Sequence, residues 1–264
     1  MQVHQTVYFL AAVAASTIKA QTTGEPLIGE ELIDATNVYA FADAAIAEAH
    51  TIWSSDGWTV LSNTDGVLNE AKPVSGVFAA ANVNITRATA EVAVAAQTLF
   101  DFLITPEGYQ LIDPLSNPED FGKDPLEAFP TDNWRGSGNA DKKRIDVTRV
   151  EAIIPNMVTR EFVTLNAADA LERIFVSKSV QHKGDPGCSI YGPPSCNTLA
   201  TNPLRVLNTF GVSVEPVEGN DSKSLVKLIN YADIAFGAAV SNQRNAVFLP
   251  DMIGRFRAKF PETN

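Results

Sequence analysis

Apolar residues recur at helical spacing over residues 30–53, where Leu32, Ile33, Val38, Tyr39, Ala42, Ile46 and Ala49 mark one side of an alanine-rich stretch without Pro or Gly. Ser54-Ser55-Asp56-Gly57 ends that stretch. Residues 58–61 and 67–74 then predict two strands joined by the turn Asn63-Thr64-Asp65-Gly66, and residues 79–90 predict a third through Val83 and Ile85. Helical spacing returns over residues 92–112, with Leu99, Phe102, Leu103 and Leu111 on the inner face and a break near Pro106-Glu107-Gly108. Beyond it, residues 144–154, 160–167, 173–181, 204–216 and 224–235 mix β-branched with polar residues and predict an antiparallel meander. Residues 239–260 close the pattern as an amphipathic helix. Val240, Leu249, Met252, Ile253, Phe256 and Phe260 follow i, i+3/4, i+7 spacing on it, while Arg244, Arg255, Arg257 and Lys259 occupy other positions.

This order predicts an α+β fold in which one antiparallel sheet of about eight strands curves and the last helix covers its concave face. The inner face of such a sheet must be filled, by side chains or by a ligand. Residues 113–143 interrupt the pattern with Pro114, Pro118, Pro125 and Pro130 among many Asp, Asn and Gly. Inside one domain spanning residues 29–260 that segment reads as a long inserted loop, either functional or ordered by short helical turns. Phe162, Thr164 and Asn166 alternate along one predicted strand and share a face. Facing inward, Thr164 and Asn166 can hydrogen-bond a ligand while Phe162 lines an apolar wall.

Composition narrows the class. The chain has 264 residues, 45% of them hydrophobic, which suits one large globular domain. A formal net charge of −11 argues against nucleic acid as a partner and against broad adsorption on anionic membranes. The apolar run over residues 7–15, followed by Ser16-Thr17-Ile18-Lys19-Ala20, reads as a signal peptide over residues 1–20 cut after Ala20, although its start carries His4 and no Lys or Arg. Residues 21–28 then form a flexible N-terminus and residues 261–264 a tail, and the mature chain is expected to be secreted or lumenal. Cys188 and Cys196 sit in one Gly/Pro-rich loop, an even count that predicts one disulfide contributing roughly 2–3 kcal/mol. Asn84-Ile85-Thr86 and Asn220-Asp221-Ser222 are glycosylation sequons.

Four segments resemble the START family of lipid-transfer domains, which have the helix-grip fold. Thr159-Arg160-Glu161-Phe162-Val163 is similar to the Arg-Asp/Glu-Phe-Val that opens a central strand in that family. Gly211-Val212-Ser213-Val214-Glu215-Pro216-Val217 resembles its strand ending in Pro-Leu, and Leu228-Ile229-Asn230-Tyr231-Ala232-Asp233 its last strand, which closes on Asp. Residues 239–260, with Asn242 near the start and Pro250 midway, look like the closing helix. Their order across residues 53–260, with Trp58 near the first strand, carries the resemblance. Two departures stand beside it. Residues 113–143 are longer than the family's connection and lack the Trp expected soon after the Asp, and the stretch from Asp233 to Asn242 is short and has no Pro.

The resemblance implies non-enzymatic binding and transfer of one hydrophobic ligand, such as a phospholipid, fatty acyl lipid, sterol or carotenoid, by a monomer without cofactor. It implies a gate in which Ile154, Met157 and Val158 of the loop over residues 153–158 touch Leu249, Met252, Ile253 and Phe256 of the closing helix and part as cargo enters. The closing helix would then make transient membrane contact, its basic residues meeting headgroups. The paired acid and base of sterol-carrying members align near Thr148 and Asn166, so the cavity floor is expected to be polar but neutral. Enzyme signatures are sparse. His4, His50 and His182 are scattered without metal-ligand spacing, and Gly136-Ser137-Gly138 lacks the context of a nucleophile elbow. Two alternatives remain open: a helix-grip enzyme using inward groups such as Asp146 or Arg149, and an interaction module with a filled core.

Overall fold

The computed structural model describes residues 32–74, 83–112, 125–136, 142–152, 160–183, 204–205, 207–233 and 238–262. The expected signal peptide, the gate residues Ile154, Met157 and Val158, and the pair Cys188 and Cys196 lie outside the described residues.

After the short strand β1 (Leu32–Ile33), helix α1 (Val38–Ser54) buries Val38, Ala42, Ala45, Ile46 and Ala49 on one stripe. Strands β2 (Thr59–Thr64) and β3 (Val67–Val74) form a hairpin, and β4 (Val83–Val92) runs beside β3. Asp65 and Gly66 hold φ of 53° and 69° in the hairpin turn, the double left-handed conformation that Asp-Gly supplies at least strain. The predicted helix over residues 92–112 is two helices, α2 (Ala96–Leu103) and α3 (Pro106–Ile112). Thr105 divides them: its hydroxyl donates to the Phe102 carbonyl at 2.6 Å and accepts the Gly108 amide at 3.1 Å. That is an N-cap, followed by Pro at the first helical position.

The inserted segment carries a short strand, β5 (Glu127–Phe129), in addition to turns. The meander continues as β6 (Lys143–Ala152), β7 (Arg160–Asp169), β8 (Ile174–Ser179) and β9 (Gln181–His182), then β10 (Leu204–Arg205), β11 (Leu207–Val217) and β12 (Asn220–Asp233). Helix α4 (Ala238–Lys259) closes the described chain.

The main sheet runs β2-β3-β4-β12-β11-β8-β7-β6-β5, with every neighbour on that path antiparallel. It therefore has nine strands along its length where about eight were expected; β5 is the addition. β10 pairs parallel with β7, and β1 with β9. Because side chains alternate along a strand, the sheet has two different coats. On one face Ile145, Val147, Val163, Leu165, Ile174 and Val176 pack under α1. On the other, Ala88, Val212, Val214, Val226 and Leu228 pack under α2 and α4 with Leu249, Met252, Ile253 and Phe256. Asp146, Thr148, Phe162, Thr164 and Asn166 fall on this second face, opposite the residues that α1 covers.

Candidate functional site

Between the sheet and the first half of α4 the packing is incomplete. A crevice there is walled by Ile112, Val150, Phe162, Phe175, Phe210, Ala232 and Phe248, with Tyr109, Thr164, Ser177, Asn208, Asn230 and Arg244 as its polar members. Its cavity volume is about 50 Å³, against about 590 Å³ of free space when the open mouth is included. At roughly 10–15 Å³ of such volume per water, the inner part holds a few waters. The crevice is thus a narrow slot.

Each strand contributes through its inward parity. Val150 pairs with Phe162 across β6 and β7, Phe210 with Ser177 across β11 and β8, and Asn230 with Phe210 across β12 and β11. Beside the slot lies a polar ladder. Asn166 Nδ2 donates to Asp146 Oδ1 at 2.9 Å and to Thr148 Oγ1 at 2.8 Å, and Thr164 Oγ1 donates to Asn166 Oδ1 at 3.4 Å. All four residues are buried. The ladder satisfies Asn166 within the protein, so no ligand is needed to complete it.

Helix α4 is held over the slot by asparagines. Asn245, fully buried, donates through Nδ2 to the Asn84 carbonyl at 2.8 Å and accepts Asn230 Nδ2 on Oδ1 at 3.0 Å. Asn242 Oδ1 accepts the Asn84 amide at 2.5 Å. Pro250 lacks the N–H that would bond the Ala246 carbonyl four residues back, and Asn69 Nδ2 fills that vacancy at 2.8 Å.

The expected site residues divide sharply. Phe162 and Thr164 line the slot. Thr148 and Asn166 stand next to it in the ladder. Leu249, Met252, Ile253 and Phe256 do not line it; they are 0% exposed and packed with α2. The physical reason is that α4's most apolar seam is drawn into the solid part of the core, leaving Arg244 and Phe248, at the seam's edge, to face the slot. Three basic residues of α4 are engaged with the domain itself. Arg255 donates to the Leu111 carbonyl at 2.7 Å, Arg257 to the Asp65 and Glu91 carbonyls, and Lys259 pairs with Glu107 at 2.6 Å. Arg255 and Lys259 thereby offset the negative C-terminal and acidic N-terminal ends of α3 respectively.

The two groups that the enzyme alternative named are placed as follows. Asp146 faces the slot's side of the sheet but is tied to Arg144 and Asn166, and Arg149 alternates onto the α1 side of β6. Among the described residues no group of His, Cys, Asp and Glu could hold a metal, and no described helix is long and apolar enough to cross a membrane. The sequons differ in placement. Thr86 of the first is fully buried and donates to the Asn230 carbonyl, whereas Asn220 starts β12 just after the hairpin turn, its Oδ1 accepting the exposed Ser222 amide at 3.1 Å.

No protein-family model matches the chain, and no curated protein matches it. Solved structures do. Human STARD10 superposes with a TM-score of 0.54 at 15% identity, covering 86% of this chain and 80% of its own. Human StAR-related lipid transfer protein 5 gives 0.51 at 15%, covering 85% and 95%. The lipid transfer and protein localization domain of human StarD13 gives 0.50 at 16%, covering 88% and 99%. The chain therefore has a START-like helix-grip fold, as the four segments implied.

Proposed function

We propose that this chain binds one hydrophobic molecule in the slot between its sheet and α4 and passes it between lipid surfaces without altering it. The observation that carries this reading is an incompletely filled, mostly aromatic and aliphatic slot, set beneath the closing helix of a fold shared with structures named for lipid transfer. The driving force is burial of apolar ligand surface, roughly 25 cal/mol per Å². Phospholipid, fatty acyl lipid, sterol and carotenoid are all candidates at this level.

Ligand-sized sites commonly enclose about 300–1,000 Å³, and the slot's inner volume is far smaller, so entry of cargo requires the wall to move. The first half of α4 is the part suited to move, since apart from Leu249 it is held mainly by the asparagine contacts, while Met252, Ile253 and Phe256 together fix the second half in the core. Val240 and Val247, 38% and 53% exposed on α4, support brief contact with a membrane as it opens. The absence of convergent acid and base along the described slot favours a carrier over an enzyme.

Two measurements test this. Mass spectrometry of an organic extract of the purified protein is expected to show one lipid class at near-stoichiometric amount, and the protein is expected to speed transfer of a fluorescent lipid between vesicles. Clean protein that takes up and transfers no lipid contradicts the proposal.

A further inference from the structure

Most of the polar side chains that line the slot are already spent on the protein. Thr164 is tied into the ladder through Asn166, and Asn230 donates to Asn245 at 3.0 Å. Tyr109 and Arg244 each have interactions of their own within the chain. Ser177 and Asn208 differ: among the described residues neither the Ser177 hydroxyl nor the Asn208 side-chain amide has a hydrogen-bond partner. Ser177 is 5% exposed, so the slot is the space open to its hydroxyl. It pairs with Phe210 across β8 and β11, and Asn208 stands two residues earlier on the same face of β11. That diagonal puts the two side chains roughly 7–8 Å apart, close enough for both to reach one small group between them. The Asn208 backbone amide donates to Ser179 Oγ at 2.7 Å, which fixes the residue in place.

A hydroxyl and an amide offer donors and acceptors but no charge. A neutral group that both donates and accepts satisfies them. Hydrocarbon alone leaves them dry, and a buried anion finds no uncommitted counter-charge among the described lining residues. We propose that Ser177 and Asn208 receive the polar end of the cargo, and that this end is a neutral hydroxyl or amide on a slim apolar body. The assignment rests on the carrier reading of the slot and narrows it. Lipids with charged headgroups, and carotenoids without oxygen, then bind less tightly than alcohols or amides of similar apolar size.

The test compares probes that share one decyl chain. The purified full chain is titrated calorimetrically at neutral pH with 1-decanol, decanamide and decanoate, each below its own aggregation threshold. At least one of the two neutral probes is expected to bind roughly tenfold more tightly than the acid, as for two neutral hydrogen bonds. Which one leads identifies the hydroxyl or the amide. Ser177→Ala and Asn208→Leu are each expected to weaken binding of that probe about twofold to tenfold and to leave decanoate nearly unchanged. Both variants are expected to unfold at the temperature of the unaltered chain, and they are read separately, so that one folded variant decides. An acid that binds as tightly as the alcohol and the amide, or a neutral preference that survives the substitutions, overturns the assignment while the carrier stands. If none of the three probes binds but the protein retains an extracted lipid, the assignment also falls alone. If nothing binds, both fall.

Discussion

Asn245 shows how a single polar side chain can position a helix. Its amide carries two donors and an acceptor, and it uses them on Asn84 and Asn230 in a site closed to water. Asn245→Ala strands those partners and is expected to lower unfolding free energy by roughly 1–3 kcal/mol, measured by urea denaturation. Gly108 is a steric case. A Cβ added there would lie 2.0 Å from the Phe102 carbonyl oxygen, which is backbone and cannot step aside. Gly108→Ala is therefore expected to destabilise by at least about 1–3 kcal/mol, read from the same curves. Glu127 adds a pH dependence. Its hydrogen bond to His182 at 2.9 Å, joined by the charge of Lys183 and opposed by desolvation, holds the carboxyl below its ordinary 4.5. A depressed folded pKa means that the contact contributes fully above the ordinary value and is lost as pH falls through the folded one. Glu127→Gln should accordingly flatten the acid limb of stability, seen in urea midpoints taken from about pH 7 to about pH 3.

At the scale of the element, α4 is one continuous helix whose parts before and after Pro250 are held differently. The later part buries Met252, Ile253 and Phe256 at 0% exposure, while the earlier is held by asparagines and presents Val240 and Val247 to solvent. Native-state hydrogen exchange is expected to open residues 238–249 at a lower free energy than residues 251–259, and Asn245→Ala to widen that gap while accelerating lipid transfer. Uniform protection along the helix would contradict that difference. Local pattern foresaw much of this. β3 falls on the predicted residues 67–74, and α4 begins and ends one residue from the prediction. β5 escaped because three residues are too few to express an alternation, and β1 and β9, with two each, are shorter still. The break between α2 and α3 was legible at Pro106; what was not legible is that Thr105 caps the second helix and Gly108 lets the two approach.

The whole molecule depends on pairings that no local pattern encodes. β4, from the first part of the chain, lies beside β12, from its last, and this pairing places Thr86 next to Asn230 under Asn245. The alternation of Phe162, Thr164 and Asn166 along β7 was readable, but which face turns toward the slot was not, because Val163 and Leu165 make the opposite face apolar as well. Phe210, Asn208 and Asn230 reach it through strand order instead, and that order becomes visible only in the folded sheet. The same holds for Arg244 and Phe248. Amphipathic spacing finds the strongest apolar seam of α4, which is the seam the core consumes, and passes over the seam's edge, where the packing stays open. A slot left open in this way leaves stability that a ligand can supply. Cargo that binds only the folded state raises its stability by about 2.7 kcal/mol at a free concentration one hundred times Kd. For a domain of this size that corresponds to a rise in Tm of roughly 5–10 °C. Lipid-loaded protein should therefore melt later than extracted protein, and the exchange of residues 238–249 should slow more on loading than that of residues 251–259. A melting temperature unmoved by loading, in protein that demonstrably retains its lipid, would place the cargo outside the slot.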